Sequence, residues 1–164
     1  MKRTIAIYPG SFDPPTLGHI NVVERGLTVF KKIIIAVALN TSKECLFTPE
    51  ERVTLLKTIY KGKPNVEVDF FNGLLVEYAQ KKKANVILRG LRTVNDYEYE
   101  LQMAFSNKSI NPDIETMFLM TENQYSHISS TLIKEIAHFG GPIKKMVPPA
   151  VEKAIKAKMK ERRK

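Results

Sequence analysis

The polarity of the chain alternates between two periods. Short runs rich in β-branched residues lie at Thr4 to Tyr8, Ile33 to Leu39, Val66 to Phe71, Val86 to Leu88 and Thr116 to Met120, and each is bounded by polar, Gly or Pro residues that predict the limits of a strand. Ile33 to Leu39 is apolar without a break, as a central strand covered on both faces requires. Between these runs apolar residues recur at helical spacing: Ile20, Val23, Leu27 and Phe30, then Val53, Leu56, Ile59 and Tyr60, then Leu101, Ala104 and Phe105. Thr48-Pro49-Glu50-Glu51 predicts a helix start, with Thr48 as cap, Pro49 at the first helical position and Glu51 closing a capping box. Two last helices are predicted over Ser129 to Phe139, stopped by Gly140-Gly141-Pro142, and from Pro149 onwards. The fold class is therefore α/β: a single Rossmann-like domain over residues 1–164, built on a five-stranded parallel sheet with helices on both faces and ending in a basic helix over about 149–164. Such sheets bind ligands outside the carboxyl ends of their strands, where the strand order reverses, so the segments that follow the strands are the ones to read for chemistry.

Composition narrows the class. A chain of 164 residues with 43% hydrophobic residues buries roughly 70% of the surface its unfolded form exposes, enough for a core without staples. The single cysteine, Cys45, allows no internal disulfide and fits a reducing cytoplasm. The apolar stretch Ile5 to Tyr8 stops at Pro9-Gly10 and is too short for a secretion signal, and Ile33 to Leu39 falls far short of the roughly 20 residues of a membrane span. Secretion, membrane spanning and a disulfide scaffold are the classes set aside. The net charge of +9 raises nucleic acid as a partner, but Val151 to Lys164 hold seven Lys/Arg against two Glu and so supply more than half the excess. That run reads as a solvated terminal helix, a phosphate-rich small substrate accounts equally well for the rest, and no RNP motif, zinc-finger spacing or heptad zipper accompanies it.

Four strand-end segments carry candidate chemistry. The first strand runs into Pro9-Gly10-Ser11-Phe12-Asp13-Pro14-Pro15-Thr16-Leu17-Gly18-His19 at a helix start, with neither G-x-G-x-x-G nor a Walker loop present. A helix N-terminus with a small residue, a glycine and a histidine suits an anion, and His19 could add a donor directed at phosphate; equally, Thr16 could only cap and His19 only occupy the first turn. Arg89-Gly90-Leu91-Arg92 at the end of the fourth strand offers two forked guanidiniums as a phosphate clamp, against the plainer reading of surface arginines bridged to nearby carboxylates. Tyr125 to Thr131 brings Ser129, Ser130 and Thr131 to a helix start, where one hydroxyl is needed as a cap. Lys43 follows the second strand as a further cation. His19, His127 and His138 are too scattered for a metal cage, and no paired cysteines exist.

The motifs Y-P-G-S-F-D-P-x-T-x-G-H at Tyr8 to His19, R-G-L-R at Arg89 to Arg92 followed by D-Y-E-Y-E, and Y-S-x-I-S-S-T at Tyr125 to Thr131, with Lys43 and Phe47-Thr48-x-Glu50-Glu51-Arg52, resemble bacterial phosphopantetheine adenylyltransferases over nearly the whole chain. T-x-G-H alone marks only the wider nucleotidyltransferase superfamily. The resemblance implies transfer of the adenylyl group of ATP to 4′-phosphopantetheine, giving dephospho-coenzyme A and pyrophosphate. It further implies Mg2+ accompanying ATP, coenzyme A as a feedback ligand, and a cytoplasmic homohexamer with neither membrane nor nucleic-acid partner. Carried onto matching positions, it puts ATP against Ser11, Phe12, His19, Gly90, Leu91, Arg92, Glu100 and the segment Tyr125, Ser126, His127, Ile128, Ser129, Ser130 and Thr131, and the acceptor against Ser11, Lys43, Leu75 and Arg89. His127 stands where the family commonly has an aromatic residue, and Thr93-Val94-Asn95 replaces a more usual Ala-Val-Ser or Ala-Val-Ala.

Mechanism follows from what a phosphomonoester acceptor can do unaided. It is already a nucleophile near neutral pH, and no Ser-His-acid or Cys-His set stands out in these motifs, so direct in-line attack without a covalent enzyme intermediate is expected. His19, Lys43 and Arg92 are the expected catalytic residues: His19 donating to the α-phosphate, Lys43 bridging the phosphates of the two substrates, and Arg92 with the Ser129 to Thr131 helix start holding the β- and γ-phosphates. The same chemistry on another acceptor, as in nicotinate mononucleotide adenylyltransferases or glycerol-phosphate cytidylyltransferases, is the nearest alternative, from which the R-G-L-R and D-Y-E-Y-E combination points away.

Overall fold

A computed structural model of the protein describes residues 4–39 and 45–161. The elements run β1 (Ile5–Gly10), α1 (Leu17–Gly26), β2 (Lys32–Ala38), α2 (Pro49–Ile59), β3 (Val66–Phe71), α3 (Leu75–Lys81), β4 (Val86–Leu91), α4 (Val94–Ile110), β5 (Glu115–Met120), a short 3-10 turn (Asn123–Tyr125), α5 (Ser130–His138) and α6 (Pro149–Glu161). All strand pairs are parallel, in the order β3-β2-β1-β4-β5, so the chain winds outward from β1 in one direction, returns, and winds outward from β4 in the other. The reversal falls between β1 and β4.

Side-chain alternation in the central strands feeds two cores. Ala6, Tyr8, Ile33, Ile35, Val37 and Leu88 point to one face and pack with Val22 and Val23 of α1 and Leu56 of α2. Ile7, Ile34, Ala36 and Ile87 point to the other and meet Val76 and Ala79 of α3, beside which α4 lies. The unbroken apolar run in β2 is thus covered on both sides, as its sequence predicts. α1 is drawn close to the sheet by Gly26, where a Cβ would come within 2.7 Å of Ile33 and 2.9 Å of Leu88. A third cluster joins α5 and α6 to Leu46 and Phe47 through Ile133, Val151 and Ile155. The basic terminal helix therefore buries one stripe and leaves its lysines outside, and no helix among the described residues is long and apolar enough to cross a membrane.

Three local expectations need correction. β1 does not stop at Tyr8, because Pro9 and Gly10 continue the ladder opposite Ala36 and Val37 of β2. Arg89, Gly90 and Leu91 do not follow β4 but belong to it, paired with Phe118, Leu119 and Met120. α3 was not anticipated from periodicity: it has only seven residues, two of them buried, too little to raise a helical pattern. The capping box at Thr48 and Glu51 forms as predicted, with Glu51 Oε2 accepting from the Thr48 N–H at 2.8 Å.

Candidate active site

The ladder between β1 and β4 pairs only Ala6 with Val86 and Ile7 with Ile87. Beyond that point the two strands no longer bond to each other, and their carboxyl ends open a cavity of about 280 Å3. Its wall is assembled from six places: Tyr8 to Ser11 at the end of β1, Thr16, Gly18, His19 and Val22 at the cap and in α1, Arg89 and Gly90 in β4, Arg92, Asp96 and Glu100 around the start of α4, Thr121 after β5, and Ile128 to Thr131 at the start of α5. His19, Arg92 and Ser130, far apart in sequence, open onto this one space.

His19 is fixed by a capping box of its own. Thr16 Oγ1 accepts from the His19 N–H at 3.2 Å, and His19 Nδ1 accepts from the Thr16 N–H at 3.0 Å. A backbone N–H can only donate, so Nδ1 carries no proton and the neutral ring presents Nε2–H. Burial first, then the positive charges of Arg92 and Arg89, lower the imidazole pKa to about 4. Thr16 caps α1, and His19, in the first turn, lines the cavity. Phe12 supports the ring from behind with a centroid separation of 5.0 Å, its own backbone held at φ 48°, and it fills the space where a Cβ on Gly10 would come within 3.0 Å of it. Phe12 is thus a buried floor to His19 rather than part of the cavity wall.

The two arginines are engaged in the same way. Arg89 donates from Nε to Glu100 Oε2 at 2.6 Å, from Nη2 to Glu100 Oε1, and from Nη1 to the Pro9 carbonyl at 2.8 Å. Arg92 donates from Nε and Nη2 to the two oxygens of Asp96, both at 3.1 Å, and from Nη1 to the Ile128 carbonyl at 3.1 Å. Each guanidinium has five N–H groups and keeps two for a ligand. Bridging to carboxylates and facing the cavity are therefore not alternatives here. Two guanidiniums against two carboxylates, with a neutral histidine, leave the described wall close to neutral in charge. The Arg89–Glu100 pair also lines a smaller cavity of about 70 Å3 with Leu75, Tyr99, Met103 and Thr116, so it forms a partition between two spaces.

The segment Tyr125 to Thr131 divides in two. Tyr125 packs against the α5–α6 cluster, Ser126 donates to the Asn123 carbonyl at 2.8 Å, and His127 is exposed; these three stand away from the cavity wall. Ile128 to Thr131 line it. Ser129 Oγ is the cap of α5, accepting from the Leu132 N–H at 3.0 Å, and Ser130 Oγ donates to the Pro14 carbonyl at 2.9 Å. The anion-binding capacity of this helix start rests on the Thr131 hydroxyl and on the Ser130 and Thr131 N–H groups, which lie outside the helix's own ladder. Leu91 is buried in β4 and does not reach the cavity, Ser11 and Gly90 line it, and Lys43 lies outside the described residues.

Four wall or support residues carry parts that the sequence reading did not assign. Tyr8, whose burial holds its phenol protonated well above the usual range, is read from sequence only as a strand residue and the first of the family motif. Thr121 lines the wall just after β5, and its N–H bonds the Leu91 carbonyl at 2.7 Å. Asp96 was legible as the fourth residue after Arg92, the spacing that pairs charges around a helix start. Asp13 had no signal of its own, because its partners lie 33 and more residues away.

A family model described as cytidylyltransferase-like matches residues 7–136. Among curated proteins, the phosphopantetheine adenylyltransferase of Caldanaerobacter subterraneus subsp. tengcongensis is 54% identical, over 96% of this chain and 98% of its own. That of Geotalea daltonii is 52% identical over 96% and 98%. A solved structure from Vibrio parahaemolyticus, assigned provisionally to the nicotinate-nucleotide adenylyltransferases, superimposes with a TM-score of 0.70 at 20% identity over 96% of this chain and 94% of that one, which shows a shared fold. With half or more of its residues identical to full-length relatives and its cavity at the β1–β4 reversal, the chain belongs to the phosphopantetheine adenylyltransferase family of nucleotidyltransferases.

Proposed function

We propose that the protein transfers the adenylyl group of ATP to 4′-phosphopantetheine, releasing pyrophosphate and dephospho-coenzyme A, by direct in-line attack of the acceptor phosphate on the α-phosphorus. The observation that carries this reading is the meeting of His19, Arg92 and the α5 N-terminus in one cavity, with the Arg89–Glu100 partition leading to a second space beside Leu75. ATP then occupies the larger cavity, against Ser11, His19, Gly90, Arg92 and Ile128 to Thr131. The acceptor lies beyond Arg89 towards Leu75, and Lys43 serves both phosphates. His19, neutral and bound through Nδ1, donates from Nε2 to an α-phosphate oxygen as charge gathers there. Arg92 and the open N–H groups of α5 hold the β- and γ-phosphates as pyrophosphate leaves. No general base is required, since the acceptor's second phosphate ionisation falls near pH 6.

The residues suit a magnesium ion that arrives on the nucleotide. The wall's carboxylates, Asp96 and Glu100, are each held by an arginine, and the described residues contain no group of three His, Cys, Asp or Glu placed as a cage. When bound with the nucleotide, Mg2+ would supply charge neutralisation to a wall that is itself nearly neutral. Coenzyme A, which shares chemical parts with both substrates, is the feedback ligand this reading implies for the same site. We place the protein in the cytoplasm as a homohexamer. Exposed apolar side chains along α4 and β5, among them Tyr99, Phe105 and Met120, support self-association.

Stereochemistry at phosphorus tests the mechanism. With an ATP analogue bearing sulfur at the α-phosphorus, a single in-line displacement inverts its configuration in the product. Retention would show two displacements and a covalent adenylyl-enzyme.

A further inference from the structure

Tyr8 brings a phenol to the cavity wall. The residue is 5% exposed and lines the space that opens where β1 and β4 part. Its ring packs edge-on against Phe12, with centroids 5.5 Å apart, and its centroid lies 6.4 Å from that of the His19 ring. The hydroxyl stands beside β4, since a Cβ on Gly90 would come within 3.5 Å of Oη as well as within 2.7 Å of Val22. No hydrogen bond joins this hydroxyl to another of the described residues, and among those residues no side-chain nitrogen or oxygen is sealed away without a partner. The hydroxyl is therefore open to the cavity that Tyr8 lines.

Packing does not account for that oxygen. A phenylalanine would give Phe12 and Val22 the same apolar ring, whereas a buried phenol ordinarily ends on a hydrogen-bond partner. Burial, ahead of the opposing charges of Arg89, Glu100 and Arg92, raises the phenol pKa, so the group stays protonated and both donates and accepts. Its place narrows what completes it. Tyr8, Val22 and Gly90 make a stretch of wall without charge, which suits a neutral polar group better than a phosphate that would lose solvent there. That stretch adjoins His19, the residue assigned above to the α-phosphate. In ATP the neutral neighbour of the α-phosphate is the ribose, whose 2′- and 3′-hydroxyls each donate and accept as the phenol does.

We propose that Tyr8 is a substrate-binding residue whose hydroxyl bonds one ribose hydroxyl of the nucleotide, favouring ribonucleoside over deoxyribonucleoside triphosphates. This rests on the assignment of the larger cavity to ATP, and the test tells the two apart. Dissociation constants of ATP, 2′-deoxy-ATP and 3′-deoxy-ATP, each with Mg2+ and without acceptor, are measured by calorimetry for the parent and for Tyr8→Phe, with thermal melting alongside. We expect the parent to bind one of the two deoxynucleotides about 3-fold to 10-fold more weakly than ATP, the worth of one hydrogen bond between neutral groups. Tyr8→Phe should weaken ATP by a similar factor and leave the affinity for that deoxynucleotide within twofold of the parent's, since the change costs nothing where the partner is already missing. It should melt no lower than the parent, because the hydroxyl it removes has no partner among the described residues. An ATP affinity within twofold of the parent's overturns the proposal. So does an equal loss for all three nucleotides, which would put the hydroxyl on a phosphate or the base. Equal affinity of the parent for ATP and both deoxynucleotides overturns it as well, whether or not Tyr8→Phe folds. A parent that does not bind ATP at all overturns the nucleotide assignment, and this contact with it. Because no acceptor is present, none of these results depends on whether 4′-phosphopantetheine is the group adenylylated.

Discussion

At the scale of single residues, the chemistry turns on the state of one ring. His19 is commonly the kind of group assigned a proton at neutral pH, yet its Nδ1 is occupied by the Thr16 N–H, and burial with Arg92 and Arg89 lowers its pKa to about 4. A neutral Nε2–H is a weaker donor than an imidazolium, but its protonation state stays the same across the pH range in which the acceptor phosphate gains its second charge. Acid loss of kcat/KM for the acceptor is therefore expected near pH 6, from the substrate, with no step from His19 until about pH 4. NMR titration of the imidazole should show the neutral Nε2–H tautomer unchanged from pH 8 to 5; a midpoint near 6.5 would contradict it. The sign for stability follows. With the folded pKa below the unfolded value of about 6.5, the unfolded chain binds the extra proton, so the contribution of His19 to stability is complete above about pH 6.5 and is lost as the pH falls through about 4. Replacing His19 with Ala removes one preorganised donor and should reduce kcat on the order of 100-fold to 1,000-fold, read directly from pyrophosphate release.

At the scale of elements, what could be read from sequence was what a strand or helix decides for itself. The five strands were legible because each is a short apolar run bounded by polar, Gly or Pro residues, although only β1, β2 and β4 bury theirs, and the Thr48 box because all its parts lie within four residues. The extension of β4 through Arg89 and Gly90 was not, because it depends on pairing with β5 rather than on the polarity of those residues. The same division holds in the site. The helix starts at Thr16 and Ser129 were visible from spacing. The Arg89–Glu100 partition and the bonds of Asp13 to Leu46, Phe47 and Lys134 were not, since they are made only after separate segments have met. α1 shows how an element delivers a residue: it lies close to β2 and β4, with His19 at the β1–β4 opening, because Gly26 in the helix and Gly90 in β4, which faces Val22, have no side chains. Gly26→Ala should push α1 off Ile33 and Leu88, cost about 1–3 kcal/mol of stability, and lower kcat beyond what the fraction unfolded explains. Denaturant melts combined with kinetics on the folded fraction check both parts.

At the scale of the whole molecule, the excess positive charge is not gathered at the cavity. Much of it lies in the last fourteen residues of the sequence, and in α6 Val151 and Ile155 pack with Leu46, Phe47 and Ile133 while Lys153, Lys156 and Lys160 are exposed. The cavity wall balances two arginines with two carboxylates and presents directed N–H groups and a neutral histidine. Such a wall selects by geometry rather than by bulk attraction, which is why a specific pair of substrates is expected. The central claim is tested by incubating the purified protein with Mg2+ and either ATP or CTP, offering 4′-phosphopantetheine, nicotinate mononucleotide or glycerol phosphate in turn, and measuring pyrophosphate. Release with ATP and 4′-phosphopantetheine alone, accompanied by dephospho-coenzyme A, is the predicted result; release with either other acceptor, and none with 4′-phosphopantetheine, would contradict it.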